Sequence, residues 1–333
     1  MSLLLGCRAP RLAALALAGL LAAAGCGGGG DSPALEERPK GLDLAVIGDT
    51  PYGRQQEAGF RQDIEAINAD PDVTRVIHLG DIQDGSSRCT DRYLERIRND
   101  FDTFEDPLVY TPGDNEWTDC HRPGKGGFVP TERLSKLRSV FFDRSGRTLG
   151  RNPARIATQR RPFVENVRWT QARTVFATIH VPGSNNDLAP WFEAAAPGRE
   201  QMEEYRSRLQ ADLDWLDQTF DVASARRAAG VVVATQADMW PSSGAGAETS
   251  GYNALIAKLA TRARAFHRPV LVLDGDSHVF KVDRPLLDSR PPVPNLTRVV
   301  VQGGESSPRG WLKLNVAPTT PDVFTWNSVP LDE

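Results

Sequence analysis

Four short apolar runs in this chain of 333 residues end in the dipeptide Gly-Asp. Such a run predicts a buried strand, and glycine permits the backbone to turn sharply at its end. In open α/β sheets, ligands bind at the carboxyl ends of the strands. Carboxylates gathered there would repel one another unless a cation lay between them, so the pattern predicts a metal site. The residues concerned are Asp49, Asp81, Asp114 and Asp276.

An imidazole joins these carboxylates, because His278 follows Asp276 by two residues on the same predicted strand-end loop. Carboxylate-rich sites with few histidines suit Mg²⁺, Mn²⁺, Ca²⁺ or iron better than structural zinc. Two cations that share a bridging carboxylate can generate hydroxide and hold the oxygens of an in-line phosphoryl displacement. The predicted chemistry is therefore metal-dependent hydrolysis of phosphate esters or anhydrides.

The order and spacing of four motifs resemble those of the calcineurin-like metallophosphoesterases. The motifs are Asp49-Thr50-Pro51, Gly80-Asp81-Ile82-Gln83-Asp84, Gly113-Asp114-Asn115-Glu116 and Gly275-Asp276-Ser277-His278. The resemblance extends from Leu42 to the C-terminus. It implies a four-layer α-β-β-α sandwich with mixed sheets and a centre of two divalent or trivalent ions (Mn, Fe, Zn or Mg).

The resemblance also implies a role for each ligand. Asp49 and His278 would bind the first metal, Asp114 and Asp276 the second, and Asp81 would bridge both. A bridging hydroxide would then attack phosphorus in line, in a phosphorylated small molecule or a nucleotide.

Two further positions complete the predicted centre. Gln236, after the apolar run VVVAT, stands at the family's lone histidine and is predicted as a neutral oxygen ligand, with Asp238 as the alternative. Asp84 is predicted either to orient a neighbouring ligand, in a catalytic role, or to cap a helix N-terminus.

Two departures from the family pattern concern catalysis. Pro51 replaces a histidine ligand; the adjacent Tyr52 could substitute for it, although an apolar wall is the favoured interpretation. Asn115 stands where the family has the histidine that assists the leaving group, and an amide donates hydrogen bonds but supplies no proton. His180, at the end of the run VFATIH, is predicted as a ligand, a general acid or a structural histidine, and His121 is a second candidate acid.

Two alternatives to an enzyme remain open on the same residues. The first is a catalytically reduced lipoprotein that binds metal or phosphate, which Pro51 and Asn115 favour. The second is a Ca²⁺-stabilised surface-interaction protein, because Asp-rich turns suit calcium.

The N-terminus predicts export and lipidation. Arg8 and Arg11 precede an apolar stretch and then Ala23-Ala24-Gly25-Cys26, which resembles a bacterial lipobox. Residues 1–25 are predicted as a signal peptide, 26–40 as a tether anchored through lipid on Cys26, and 41–333 as one extracytoplasmic metallophosphoesterase domain. In an oxidising compartment, the remaining Cys89 and Cys120 predict one disulfide.

Composition and element order agree with a single enzyme-sized domain. Lys and Arg number 39 against 43 Asp and Glu, and no basic run suggests nucleic-acid binding. Alternating predicted strands and helices, followed by a β-rich C-terminal part, indicate an α/β domain with a mixed sheet. The Arg-rich segment between Phe142 and Thr174 is predicted to be irregular.

Overall fold

The computed structural model describes residues 41–241 and 248–331. The predicted signal peptide, the lipid attachment at Cys26 and the tether to residue 40 lie outside these residues and remain predictions. Within the described part of the chain, no helix combines the length and apolar character needed to cross a membrane.

A five-stranded sheet carries the first three Gly-Asp dipeptides. Its strands are β1 (Leu42–Ile47), β2 (Val73–His78), β3 (Leu108–Tyr110), β11 (Gly310–Val316) and β12 (Phe324–Pro330). Their order is β12-β11-β1-β2-β3, and β1, β2 and β3 run in parallel. The carboxyl ends of these three strands therefore share one edge, which collects Asp49, Asp81 and Asp114.

A seven-stranded sheet carries the fourth Gly-Asp dipeptide, after β8. Its strands are β4 (Ala157–Thr158), β5 (Val167–Gln171), β6 (Thr174–Thr178), β7 (Gly230–Ala234), β8 (Val270–Asp274), β9 (Lys281–Asp283) and β10 (Leu296–Val300). Their order is β4-β5-β6-β7-β8-β10-β9, with β6, β7, β8 and β10 parallel.

Three apolar clusters define the layers. The inner faces of the two sheets pack together through residues such as Leu44 and Leu271. The helices are α1 (Gly53–Asn68), α2 (Asp91–Phe101), α3 (Pro130–Phe141), α4 (Gly183–Asp187), α5 (Arg199–Ala225) and α6 (Asn253–Phe266). Helices α1–α3 cover the five-stranded sheet through residues such as Phe60, and α5 and α6 cover the seven-stranded sheet through residues such as Leu216. The predicted four-layer α-β-β-α sandwich is confirmed.

Part of the segment predicted to be irregular is strand. β4 and β5 lie within it, and the short β9 was also not predicted. β5 reads VRWTQ, and its strand conformation depends on antiparallel pairing with β6 rather than on an apolar run of its own. Such pairing between segments is not visible in local sequence.

Candidate metal centre

The four aspartates and His278 lie together at the strand ends. The backbone nitrogen of Asp276 donates to both carboxylate oxygens of Asp49, at 3.0 and 3.2 Å, and His278 Nε2 lies 3.5 Å from Asp49 Oδ1. Ligand atoms of Asp49, Asp81 and His278 fall within 4.8 Å of one another, as do those of Asp81, Asp114 and Asp276. The five side chains thus form two overlapping groups that share Asp81.

The backbone is strained where it presents these side chains. Left-handed φ values occur at Asp49 (51°), Asp81 (53°), Asp276 (68°) and His278 (58°). Each such conformation costs on the order of 1–3 kcal/mol and persists only where the surrounding structure enforces it. Backbone strain of this kind concentrates at functional sites, and here it coincides with the clustered carboxylates.

Two of the glycines make room for carboxylates of neighbouring loops. A Cβ on Gly275 would collide with the Asp49 carboxylate, and one on Gly113 would collide with the Asp81 carboxylate. Neither glycine has a left-handed φ, so glycine is required here for space rather than for a special turn conformation. At these two positions the glycine is required by how closely the loops approach one another, whereas Gly80 also has a left-handed φ of 98°.

The charges at this centre are crowded. Burial and the charges of Asp114 and Glu116 raise the pKa of Asp81 well above its ordinary 3.8, and burial with the charges of Asp114 and Asp49 does the same for Asp276. Bound cations would relieve this repulsion and favour the ionised carboxylates. Carboxylate oxygens with one imidazole form a donor set that fits hard or borderline cations.

This crowding predicts how stability depends on pH in chelator-treated protein. The hydrogen bond to Asp49 raises the pKa of His278 from 6.5 to about 9. The protonated His278 therefore contributes its full stabilisation to the folded protein below pH 6.5, and this contribution is lost as the pH rises to 9 and above. The raised pKa values of Asp81 and Asp276 also make the free energy of unfolding fall as the pH rises above 3.8, because ionising these buried carboxyls destabilises the folded protein. We expect the melting temperature in EDTA to fall between pH 6.5 and 9, and Mn²⁺ to reduce that fall. A melting temperature that rises over this interval in EDTA contradicts the prediction.

Tyr52 places its hydroxyl inside the cluster, so the favoured interpretation as an apolar wall is wrong. The hydroxyl donates to Asp81 Oδ2 at 3.1 Å and lies 3.4 Å from His278 Nε2. Burial and the charge of Asp81 raise the pKa of Tyr52, so it is a neutral donor in the metal-free protein. Tyr52 thus brings a hydroxyl to the cluster from the position next to Pro51.

Asn115 presents its donors to the shared carboxylate. Its Nδ2 donates to Asp81 Oδ2 at 2.8 Å, and its backbone nitrogen donates to Asp81 Oδ1 at 3.1 Å. The side chain is 9% exposed at the edge of the centre. Asn115 therefore lies beside the shared carboxylate and donates to it, and its predicted role toward the leaving group stays a prediction.

Gln236 reaches the cluster with its amide nitrogen, so its predicted role as an oxygen ligand is wrong in this geometry. Nε2 lies 3.4 Å from Asp114 Oδ1 and 3.3 Å from Asp276 Oδ1. The amide oxygen instead accepts from the backbone nitrogen of Gly183 at 2.5 Å, which fixes the orientation of the amide. The alternative, Asp238, pairs with the Arg298 guanidinium and is not a member of the clustered ligands.

Asp84 stabilises a loop and does not contact the ligands. Its carboxylate accepts from Ser86 and Ser87, and Oδ2 also accepts from the backbone nitrogen of Gly53 at 3.1 Å. Gly53 is the first residue of α1 and follows Tyr52. Asp84 therefore accepts a hydrogen bond from the first backbone N–H of α1, which resembles the helix-capping role that the sequence predicted. No contact with the cluster supports its assignment as a catalytic residue.

His180 is a buried structural residue, so its assignment as a catalytic residue needs correction. Its exposed fraction is 0%, Nδ1 lies 2.9 Å from Glu165 Oε1, and its ring packs edge-on against Trp117. His121 Nδ1 accepts from the backbone nitrogen of Phe192 at 2.9 Å. Neither ring has a contact with the carboxylate cluster among the described residues.

Three residues to which the sequence assigned no role support the centre. Glu116 Oε1 accepts from the backbone nitrogens of Asp81 and Gly113 and from Tyr110. The Ser184 hydroxyl lies 2.8 Å from both Asp114 Oδ2 and Asp119 Oδ1, and Lys125 Nζ donates to Asn115 Oδ1 at 3.2 Å. Of the three, only Glu116 could have been identified from the sequence, because it is the acidic last residue of the motif Gly113-Asp114-Asn115-Glu116.

The predicted disulfide between Cys89 and Cys120 is confirmed. It joins the loop after β2 to the loop after β3. The two sulfurs lie 3.5 and 3.7 Å from the backbone oxygen of Asn115. The disulfide therefore ties together two loops that border the centre.

Comparisons with known proteins give structural likeness at low similarity. No family model and no curated protein matches the chain. Solved structures that resemble it include GAP50, the anchor in the inner membrane complex of Plasmodium (13% identity, TM-score 0.43, 89% of this chain and 90% of that one), and a 5′-nucleotidase from Candida albicans (12%, 0.40, 88% and 52%). A third is a protein described as a 5′-nucleotidase from Staphylococcus aureus (14%, 0.40, 88% and 55%). The chain thus spans about half the length of these two nucleotidases. At these scores the likeness carries no argument about family or activity.

Proposed function

We propose that the protein is a metal-dependent hydrolase of phosphate esters or anhydrides. The observation that carries this proposal is the pair of overlapping donor groups that share Asp81. Asp49 and His278 would hold one ion and Asp114 and Asp276 a second. Ions bound there would supply Lewis acidity and lower the pKa of coordinated water.

The remaining side chains orient the substrate and shape the centre. The Tyr52 hydroxyl and one N–H of Asn115 Nδ2 donate to Asp81, and the second N–H of Asn115, whose nearest acceptor is the Tyr52 oxygen at 3.4 Å, would be the donor for a phosphoryl oxygen. Gln236 Nε2 lies between Asp114 and Asp276 and restrains both carboxylates. Glu116 Oε1 accepts from the backbone nitrogens of Asp81 and Gly113 and so holds the loops after β2 and β3 close together.

Metal analysis and hydrolysis assays test the proposal. Wild-type protein is assayed with Mn²⁺, Mg²⁺, Zn²⁺ or iron, on a phosphomonoester, a phosphodiester and a nucleotide. Turnover that depends on the metal supports the hydrolase. Stoichiometric metal binding without turnover on any probe favours a catalytically reduced metal- or phosphate-binding protein, and stoichiometric binding of calcium alone favours a Ca²⁺-stabilised interaction protein.

The second candidate, a catalytically reduced binding protein, has a specific structural basis. Pro51 and Asn115 remove two imidazoles, and the Gln236 amide contacts Asp114 and Asp276 with donors instead of offering an oxygen. Each change lowers the number of groups that can ligate a metal or transfer a proton.

The missing acid predicts a preference among substrates. General acid catalysis contributes roughly 10²–10⁴-fold, and no described histidine other than His278 contacts the cluster. We expect kcat/KM to be at least roughly 10²-fold higher for an aryl phosphate or a phosphoanhydride than for an alkyl phosphate. Equal kcat/KM values across leaving groups of widely different pKa contradict this expectation.

Localisation and domain limits complete the proposal. Residues 41–333 would form the metallophosphoesterase domain, on the extracytoplasmic side of a bacterial membrane. The anchor would be lipid on Cys26, with residues 26–40 as the tether. The disulfide between Cys89 and Cys120 supports an oxidising compartment.

A further inference from the structure

Every polar atom of Asn115 has a hydrogen-bond partner. Its two nitrogens donate to the Asp81 carboxylate, and its backbone oxygen accepts from Gln83 Nε2 at 2.7 Å. Its side-chain oxygen accepts from Lys125 Nζ at 3.2 Å. A flipped amide would direct its oxygen at a carboxylate and its NH₂ group at an ammonium. Lys125 and Asp81 together therefore allow only one orientation.

Lys125 is buried and its position is fixed by the surrounding loops. Its exposed fraction is 1%, and Nζ also donates to the backbone oxygen of Asp84 at 2.9 Å. Its backbone oxygen accepts from the nitrogen of the disulfide residue Cys89 at 3.0 Å. Burial lowers the pKa of Lys125, and the charges of Asp119 and Asp81 oppose that effect.

Burying an ammonium is unfavourable unless nearby charges compensate for it, and the carboxylates of Asp119 and Asp81 do so here without accepting a hydrogen bond from Nζ. The ammonium here donates to two neutral oxygens, those of Asp84 and Asn115. An ammonium on the amide oxygen also polarises the amide and strengthens its N–H donors, as in other hydrogen-bond chains.

We propose that Lys125 is a positioning residue that holds the Asn115 amide with its NH₂ group toward Asp81, so that its second N–H, 3.4 Å from the Tyr52 oxygen, can donate to a phosphoryl group bound beside that carboxylate. The inference rests on the proposed phosphoryl chemistry of the centre. Lys125 Nζ donates to the amide oxygen and Asn115 supplies the directed donor, while neither transfers a proton. The ligand that this pair recognises is a phosphoryl or orthophosphate oxygen beside Asp81.

A measurement on metal-free protein tests the positioning directly. In the full chain with ¹⁵N-labelled asparagine, the Asn115 side-chain NH₂ should be protected from hydrogen exchange in the wild type. The Lys125→Met variant should lose that protection roughly 10-fold or more. Lys258→Met, which removes a lysine paired with Asp217 on the helical layer, serves as the matched control and should leave Asn115 unchanged.

A second measurement tests the consequence for ligand binding. Calorimetry of orthophosphate with Mn²⁺-loaded protein should show roughly 10- to 100-fold weaker binding in Lys125→Met. Asn115→Ala should weaken binding similarly, and adding Lys125→Met to Asn115→Ala should change little, because Lys125 acts through Asn115. Lys125→Arg should retain part of the affinity, whereas a merely packing role would be served equally well by Met.

The outcomes separate this inference from the proposed function. Unchanged protection of Asn115 in Lys125→Met, or additive losses in the double variant, overturns the role of Lys125 even if the protein is a phosphoesterase. Wild-type protein that binds neither Mn²⁺ nor phosphate overturns the proposed function, and the exchange measurement still decides whether Lys125 positions Asn115. If Lys125→Met does not fold, Lys125→Gln replaces it in both the exchange measurement and the binding measurement.

Discussion

Replacement of Asp81 by Asn is expected to remove metal-dependent hydrolysis, lowering turnover by roughly 10³-fold or more. Asp81 is the single residue common to both groups of ligand atoms, so its loss affects both potential metal positions. The substitution keeps the size of the side chain and removes its charge. If the new amide nitrogen takes the place of Asp81 Oδ2, it faces two other donors, Asn115 Nδ2 and the Tyr52 hydroxyl, which then lose their acceptor.

Metal content and turnover, measured together, check this expectation. Bound Mn²⁺ per chain should fall in Asp81→Asn, while thermal melting shows that the variant is folded. Asp212→Asn is the matched control: Asp212 is equally buried, accepts from Asn166 at 2.7 Å and lies outside the cluster. An Asp81→Asn variant that keeps wild-type turnover and metal content would falsify the assignment of the centre.

Replacement of Gly113 by Ala is expected to damage both the fold and the centre. The added Cβ would lie 2.6 Å from the backbone nitrogen of Asp81 and would collide with the Asp81 carboxylate. Because backbone cannot move aside as a flexible side chain does, we expect the free energy of unfolding to fall by about 1–3 kcal/mol. Displacement of the shared ligand should weaken Mn²⁺ binding by roughly 10²-fold.

Urea denaturation and Mn²⁺ calorimetry measure these two effects. Gly124→Ala is the matched control, since a Cβ built on Gly124 has no heavy atom within 4 Å. Its free energy of unfolding should stay within about 0.5 kcal/mol of the wild type. If Gly113→Ala binds Mn²⁺ as tightly as Gly124→Ala does, then the close approach of Gly113 to Asp81 has no role in forming the centre.

The sequence predicted the parts of the centre that follow from strand ends. An apolar run fixes a strand, and Asp49, Asp81 and Asp114 follow three parallel neighbours, so their proximity required only the correct pairing of β1, β2 and β3. The alternation of strands and helices also followed from the sequence, and in α1 the residues Phe60, Ile64 and Ile67 are all buried, whereas the arrangement in four layers was implied by the family resemblance. The pairing of Cys89 with Cys120 followed from counting cysteines in an oxidising compartment.

Side-chain direction could not be predicted in the same way. Gln236 follows β7 as expected, but a hydrogen bond from Gly183, 53 residues away in the chain, turns its oxygen away from the carboxylates. His180 lies two residues beyond the end of β6, and its ring pairs with Glu165 inside the fold. Tyr52 looked apolar from its local context, and the contact of its hydroxyl with Asp81 depends on where α1 begins relative to the second loop.

The sequence by itself therefore determined that Asp49, Asp81 and Asp114 meet, because strand polarity delivers residues at strand ends to one edge of a sheet, whereas Asp276 joins them from the other sheet through the packing of the two sheets. The tertiary structure alone decided which neighbours accompany them. It brought the Lys125 ammonium, the Glu116 carboxylate and the Tyr52 hydroxyl to the aspartates from loops whose local composition did not distinguish them. The reason is that a hydrogen bond depends on distance and angle between groups far apart in the chain, and these are set only when both sheets and their loops are packed.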